Sequence, residues 1–128
     1  MKLLLDTHVF LWWIERNPHL SARASALIAD PDSEVFVSIV TVWEIAIKAA
    51  LEQLEMPVGL GAFLRRQLQS NGFESLPITF EHAVAVRDLP MHHRDPFDRL
   101  LVCQSRVESL ALVSADSAIA AYGADMLW

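Results

Sequence analysis

Residues 3–6, LLLD, place three consecutive leucines directly before an aspartate. A short, continuously apolar run is typical of a parallel β-strand that is covered on both faces. Because Pro77 has no backbone N–H, the run that contains it is predicted to lie at a sheet edge. The runs that we predict to be strands are residues 3–5, 35–37, 76–78 and 110–113, with 126–128 as a candidate fifth.

Segments with helical periodicity separate these apolar runs. Ser21 is predicted to cap one of them, Ser38 to begin another and Asp95 to mark the start of a third, and Gly72 and Gly123 are predicted C-terminal stops. The predicted helices cover residues 7–16, 21–29, 38–54, 60–69, 80–87, 96–108 and 115–122. Strands that alternate with helices predict a single α/β domain over residues 1–128. Its Rossmann-like parallel sheet of four to five strands would be flanked by helices on both faces.

The composition supports a packed domain and argues against some partners. Of the 128 residues, 53% are hydrophobic and the formal net charge is −6, so a broad basic surface for DNA is not expected. The single Cys103 cannot form an internal disulfide, which favours a reducing compartment. Asp6 and His8 interrupt the apolar start, which therefore does not resemble a signal peptide. We expect a cytoplasmic protein with no membrane-spanning segment.

Acidic residues follow two of the predicted strands. Asp6 comes directly after residues 3–5, and Asp116 comes shortly after residues 110–113. Ligands of parallel α/β sheets bind beyond the carboxyl ends of the strands, although an aspartate there can also be only a helix N-cap. Glu44 lies on a narrow polar stripe of an otherwise apolar helix, together with Ser38, Thr41 and Lys48. That stripe either faces solvent or lines a cleft.

The densest polar segment is HHRDPFDR at residues 92–99. Asp95 before Pro96 predicts a helix start, which places Asp98 in the first turn at the edge of an apolar face. His92 and His93 are adjacent and therefore lack the ligand spacing of a zinc site. Carboxylates that converge on one cleft repel each other unless a cation is bound, and oxygen ligands favour Mg²⁺ or Mn²⁺. The pattern therefore predicts metal-assisted phosphate chemistry.

Four segments resemble the motifs of the PIN domain (PilT N-terminus) family, in its VapC-type toxin branch. Each motif alone is weakly specific, but their order and spacing fit over essentially the whole chain. The segments are LDTHVFLW at 5–12, SIVTVWEIAIK at 38–48, HRDPFDRLL at 93–101 and LVSAD at 112–116.

The resemblance implies an endoribonuclease toxin of a VapBC-type toxin–antitoxin module. It implies that a metal-activated water hydrolyses RNA phosphodiester bonds, with Mg²⁺ or Mn²⁺ held by Asp6, Glu44, Asp98 and Asp116. Thr7 and Ser114 would add hydroxyl hydrogen bonds to these ligands, and Asp95 is an extra acid whose role the family pattern does not fix. A homodimer and a cognate VapB-like antitoxin are also implied.

Two other classes stay open at this point. A Mg²⁺-dependent phosphatase or phosphoacceptor domain also uses a strand-end aspartate. The haloacid-dehalogenase pattern wants an acid where this chain has His8, and a receiver domain wants a phosphoacceptor after its third strand, where 76–79 supplies none. The second class is a catalytically idle binding module, against which the presence of all four acids argues. The candidate phosphate contacts, if they are not simply solvated, are Arg65, Arg66, Arg94 and Arg99.

Overall fold

A computed structural model of the chain describes residues 1–123 and 125–128. In these residues five parallel strands form one sheet in the order β3-β2-β1-β4-β5. The α/β prediction with a parallel sheet is confirmed, including its fifth strand. The strands are β1 (Lys2–Leu5), β2 (Glu34–Ser38), β3 (Glu74–Leu76), β4 (Ala111–Val113) and β5 (Met126–Leu127).

Helices cover both faces of this sheet, as the continuously apolar strands predict. Leu3 and Leu5 pack into one apolar cluster with Phe10 of the first helix, whereas Leu4 packs into a second cluster with Leu101. Successive side chains of a strand point to opposite faces, so both faces of β1 are buried. The helices are α1 (Thr7–Glu15), α2 (Ala22–Ala29), α3 (Ile39–Ala50), α4 (Leu60–Asn71), α5 (Phe80–Ala85), α6 (Pro96–Glu108) and α7 (Ser117–Ala120).

The helix boundaries follow the predicted caps in several places. The side chain of Ser21 accepts a hydrogen bond from the backbone N–H of Ala24, and Ser38 accepts one from Val40. Gly72 ends α4 with a φ of 66°, a left-handed conformation that glycine adopts without strain. The predicted ends of α2, α4 and α6 are thereby confirmed to within two residues.

Two predicted boundaries are wrong. The third strand is Glu74–Leu76 rather than 76–78, because Pro77 has no N–H to continue the ladder; the strand does lie at the sheet edge. Helix α3 ends at Ala50 rather than at residue 54. Glu52 adopts a φ of 57° there, and the N–H of Gln53 donates to the carbonyl of Lys48. Because the residue with the left-handed conformation is not a glycine, the sequence contains no recognisable signal for this helix end.

The two shortest helices are also shorter than predicted. Helix α5 ends at Ala85, and a 3₁₀ turn over Val86–Asp88 follows it. Helix α7 begins at Ser117 because the preceding Asp116 is its N-cap. Among the described residues, no helix has the length and apolarity that crossing a membrane requires.

The strand order places β1 at the centre, next to both β2 and β4. The chain moves outward from β1 through β2 to β3 on one side, and β4 and β5 lie on the other. The order therefore reverses at β1, and a crevice is expected beyond its carboxyl end. Leu5 is aligned with Val113, and the N–H of Asp6 donates to the carbonyl of Val113 at 3.1 Å. The segments that leave β1 and β4 thus start side by side.

Candidate metal centre

Asp6 and Asp116 lie at this carboxyl edge and use one oxygen each as a helix cap. Asp6 Oδ1 accepts from the N–H of Val9 at 2.7 Å, and Asp116 Oδ1 accepts from the N–H of Ala118 at 2.8 Å. The other oxygen of Asp116 lies 3.2 Å from His93 Nε2. The cap interpretation of both aspartates is therefore confirmed, and each carboxylate keeps a second oxygen for other contacts.

Glu44 faces the interior and not solvent. Its side chain is 2% exposed, although it lies on a polar stripe of α3. Its Oε1 accepts from Thr7 Oγ1 at 2.6 Å, and its Oε2 lies 2.5 Å from Lys48 Nζ. Thr7 Oγ1 is also 3.1 Å from Thr41 Oγ1. The stripe therefore does not face solvent at Glu44, and the hydroxyl of Thr7 donates a hydrogen bond to this carboxylate.

Asp98 meets His93 and Asp116 at one point. Its Oδ2 lies 3.0 Å from His93 Nε2. One ligand atom from each of these three residues lies within 4.8 Å of the others, which is close enough to bind one metal ion. The three residues come from the loop before α6, from its first turn and from the cap of α7.

Sequence analysis missed His93 as a site residue. Because His93 is adjacent to His92, the ligand spacing excluded only a zinc site. Spacing along the chain does not show that the loop before α6 brings His93 next to Asp98 and Asp116. The available signal was its position two residues before the cap Asp95, in the most polar segment of the chain. The N–H of Asp95 donates to His93 Nδ1 at 3.1 Å, so the helix start itself fixes the ring.

Burial and neighbouring carboxylates raise the pKa of two carboxyl groups of the site, Asp98 and Asp6. The pKa of Asp98 is raised to about 7, first by burial and then by Asp95, Asp6 and Glu44, while His93 opposes the shift. The pKa of Asp6 is also raised, chiefly by burial and to a lesser degree by Asp116; hydrogen bonds from Ser114 and Val9 oppose that shift. The four predicted acids therefore share one electrostatic environment, and Ser114 contacts one of them.

These residues fit a divalent cation. Carboxylates as close together as those of Asp98 and Asp116 repel each other when both are charged, and a bound cation removes that repulsion. Oxygen donors of this kind suit Mg²⁺ or Mn²⁺. Lys48 supplies part of the compensating charge, since its hydrogen bond to Glu44 is the main cause of its raised pKa. The carboxylates of Asp95 and Asp98 add to that shift.

We expect the metal-free protein to lose stability as pH rises from about 4 to about 7. The folded chain holds the proton of Asp98 up to a pKa of about 7, whereas an unfolded aspartate releases it near pKa ~3.9. Stability is therefore lost across that window. Asp98→Asn should weaken this loss and raise the free energy of unfolding near neutral pH by on the order of 1 kcal/mol. Urea unfolding in EDTA measures both, with the exposed Asp88→Asn as control. An unchanged pH slope in Asp98→Asn would contradict the shared acidic environment.

Arg99 is not a phosphate contact, nor is it solvated. The residue is 8% exposed, and its guanidinium donates to the carbonyls of Pro90 at 2.9 Å and Leu89 at 3.1 Å. It also donates to Tyr122 Oη at 3.1 Å. The candidate role in binding phosphate is therefore wrong for Arg99, which fastens the loop before α6 instead. Arg65, Arg66 and Arg94 are exposed.

Aromatic rings flank the acids on the solvent side. A depression of about 250 Å³ is lined by Asp6, His8, Trp12, Ala115 and Asp116. The ring centroids of His8 and Trp12 are 5.9 Å apart. A second cavity, of about 670 Å³, lies between α1, α2 and α4, and no acidic residue lines it. The rings of His8 and Trp12 therefore form one aromatic surface next to Asp6 and Asp116.

Comparison with known proteins identifies the family. The family model described as PIN domain matches residues 3–125. Ribonuclease VapC22 of Mycobacterium tuberculosis is 29% identical over 115 residues, which cover 89% of this chain and 86% of that protein.

Solved structures with the same fold include toxin–antitoxin complexes. VapBC2 from Rickettsia felis, bound to a DNA fragment from their promoter, matches with a TM-score of 0.73 and 13% identity over 99% of this chain and 98% of that one. FitAcB from Neisseria gonorrhoeae matches with a TM-score of 0.64 and 20% identity over 98% and 96%. At these identities the likeness concerns the fold. With the family model covering nearly the whole sequence, this chain belongs to the PIN domain family.

Proposed function

We propose that this chain is the toxin of a VapBC-type toxin–antitoxin module, an endoribonuclease that uses Mg²⁺ or Mn²⁺. The metal ligands in this proposal are Asp6, Glu44, Asp98 and Asp116. The observation that supports it is the group of ligand atoms from His93, Asp98 and Asp116 that lie within 4.8 Å of one another, with Asp6 and Glu44 close enough to raise the pKa of Asp98. Membership in the PIN domain family and the similarity to Ribonuclease VapC22 support the reaction class.

The chain's own residues hold the four carboxylates in fixed orientations. Backbone N–H groups at the starts of α1 and α7 fix one oxygen each of Asp6 and Asp116. Thr7 donates to Glu44, and His93 Nε2 lies 3.0 Å from Asp98 Oδ2. A bound divalent cation would polarise the scissile phosphate and lower the pKa of a water molecule there. Carboxylates fixed before the cation binds need little reorganisation, which favours tight and specific binding.

The surroundings of the site suit single-stranded RNA. Sequence-specific RNA recognition uses unpaired bases that stack on aromatic side chains, and His8 and Trp12 lie beside Asp6. The formal charge of −6 does not favour a broad backbone-binding surface. Binding would therefore depend on the bound cation and on stacking near the scissile bond.

A cognate VapB-like antitoxin is part of the proposal, together with a homodimer, a single domain over residues 1–128 and a cytoplasmic location. The antitoxin is supported by the structural matches, which include a toxin–antitoxin complex from Klebsiella pneumoniae at a TM-score of 0.66 and 16% identity over 98% of this chain and 96% of that one. A basic segment of such a partner would pair with the carboxylates, since arginine forms bidentate hydrogen bonds with them.

The proposal predicts divalent-metal-dependent cleavage of RNA. Purified protein is incubated with total RNA in Mg²⁺ or in EDTA, and the new ends are sequenced. We expect cuts at defined positions in Mg²⁺ and their loss in EDTA, because the carboxylates alone supply no cation for the phosphate. Cleavage that persists in excess EDTA would contradict the metal role. Intact RNA in Mg²⁺ and in Mn²⁺ would instead favour the catalytically idle binding module.

A further inference from the structure

We infer that His93 is a positioning residue: its Nε2–H donates to the carboxylates of the site, and the ring is not a ligand of the cation. The inference deepens the proposed function and rests on it for the identity of the metal ligands. A ring nitrogen of His93 lies as close to the carboxylates of Asp98 and Asp116 as the ligands of one cation would lie to each other. Distance alone would therefore suggest that His93 coordinates the metal.

The hydrogen bond from Asp95 decides which ring nitrogen carries the proton. A backbone N–H can only donate, and that of Asp95 lies 3.1 Å from His93 Nδ1. Nδ1 therefore presents its lone pair, and the proton of the neutral ring is on Nε2. A proton on Nδ1 would instead place two N–H donors against each other at this distance.

The Nε2–H faces the two carboxylates. It hydrogen-bonds to Asp116 Oδ2 at 3.2 Å and lies 3.0 Å from Asp98 Oδ2. Coordination of a metal through Nε2 requires that nitrogen to present a lone pair, so the proton would have to move to Nδ1, where the N–H of Asp95 already lies. The ring is therefore arranged as a donor. Donors of this kind commonly orient carboxylates that bind metals.

A chain of hydrogen bonds fixes the ring from behind. The N–H of His93 donates to Tyr122 Oη at 2.9 Å, and Arg99 donates to the same oxygen at 3.1 Å. Arg99 also holds the carbonyls of Leu89 and Pro90 in the loop that leads to His93. The buried guanidinium of Arg99 thereby helps to position His93. The Nε2–H of His93 lies between Asp98, in the first turn of α6, and Asp116, the N-cap of α7.

The first test is the position of the proton on the ring. Two-bond ¹H–¹⁵N correlation spectra of the ¹⁵N-histidine-labelled protein show which nitrogen is protonated, and the His93→Gln spectrum assigns the signals. We expect a proton on Nε2 in EDTA and again in saturating Mg²⁺. An unprotonated Nε2 in Mg²⁺ would overturn the inference, because a metal ligand must present that lone pair.

The second test is Mg²⁺ affinity, measured by calorimetry without RNA. His93→Ala should weaken binding by about 10–100-fold, as loss of a group that orients metal ligands commonly does. His93→Gln, whose amide N–H can replace the Nε2–H, should recover most of that loss, and His92→Ala should change little. Equal affinities of wild type and His93→Ala would overturn the positioning role. Neither readout uses RNA, so an absence of cleavage would count against the proposed function and not against His93.

Discussion

Asp98→Asn is expected to lower Mg²⁺-dependent RNA cleavage by on the order of 10³-fold or more, whereas Asp95→Asn should keep most of the activity. Both changes remove one negative charge from the same helix start. Asp98 lies close enough to Asp116 for one cation to bind both carboxylates, and an amide oxygen lacks the charge that a hard cation prefers. Initial rates on one RNA measure the comparison.

Among the described residues, Asp95 makes backbone contacts that Asp98 does not make. Asp95 Oδ1 accepts from the N–H groups of Phe97 at 2.8 Å and Asp98 at 3.3 Å, which makes it the N-cap of α6. Asparagine caps a helix about as well as aspartate, but Asp95→Ala should cost about 1 kcal/mol of stability. An inactive Asp95→Asn beside an active Asp98→Asn would reverse the assignment. Equal losses would mean that the loop as a whole, and not one carboxylate, forms the site.

Glu44→Gln should reduce cleavage to a similar extent, by on the order of 10³-fold, while the protein stays folded. Glutamine has nearly the same shape and its Oε1 can still accept from Thr7 Oγ1. It lacks the charge that pairs with Lys48 and that a cation would use. Cleavage rates together with circular dichroism separate loss of function from loss of fold.

Glu34→Gln is the matched control for this change. Glu34 is exposed at the start of β2, opposite the carboxyl edge, and its partner Lys2 is exposed too. The control should cleave RNA at the wild-type rate. If Glu44→Gln also did so, Glu44 would be a buried partner of Lys48 and no part of the metal centre.

The strands that the sequence predicts best are those with a continuously apolar run. Leu3–Leu5 and residues 35–37 and 111–113 are apolar because both faces of the sheet are covered, and they lie in strands; the predicted run 110–113 begins one residue before β4. The third strand is misplaced by two residues, since its true segment, Glu74–Leu76, contains exposed polar side chains at the sheet edge. Local pattern thus locates the buried inner strands and misplaces β3, whose exposed polar side chains interrupt the apolar run.

The site shows the same division between local and tertiary information. Asp6 and Asp116 follow from strand ends, and the motifs of the PIN domain supply Glu44 and Asp98. His93 could not be found in this way, because its carboxylate partners lie 5 and 23 residues away along the chain. Arg99 was misassigned for a related reason. Its partners are backbone carbonyls of the preceding loop, and every residue type presents the same carbonyl.

The central claim, that these carboxylates form a divalent-cation site, is tested most directly by calorimetric titration of Mg²⁺ into wild type, Asp95→Asn and Asp98→Asn. The account predicts saturable binding by wild type and by Asp95→Asn, and binding weaker by about tenfold or more in Asp98→Asn. Equal binding by all three proteins, or no saturable binding by wild type, would contradict it.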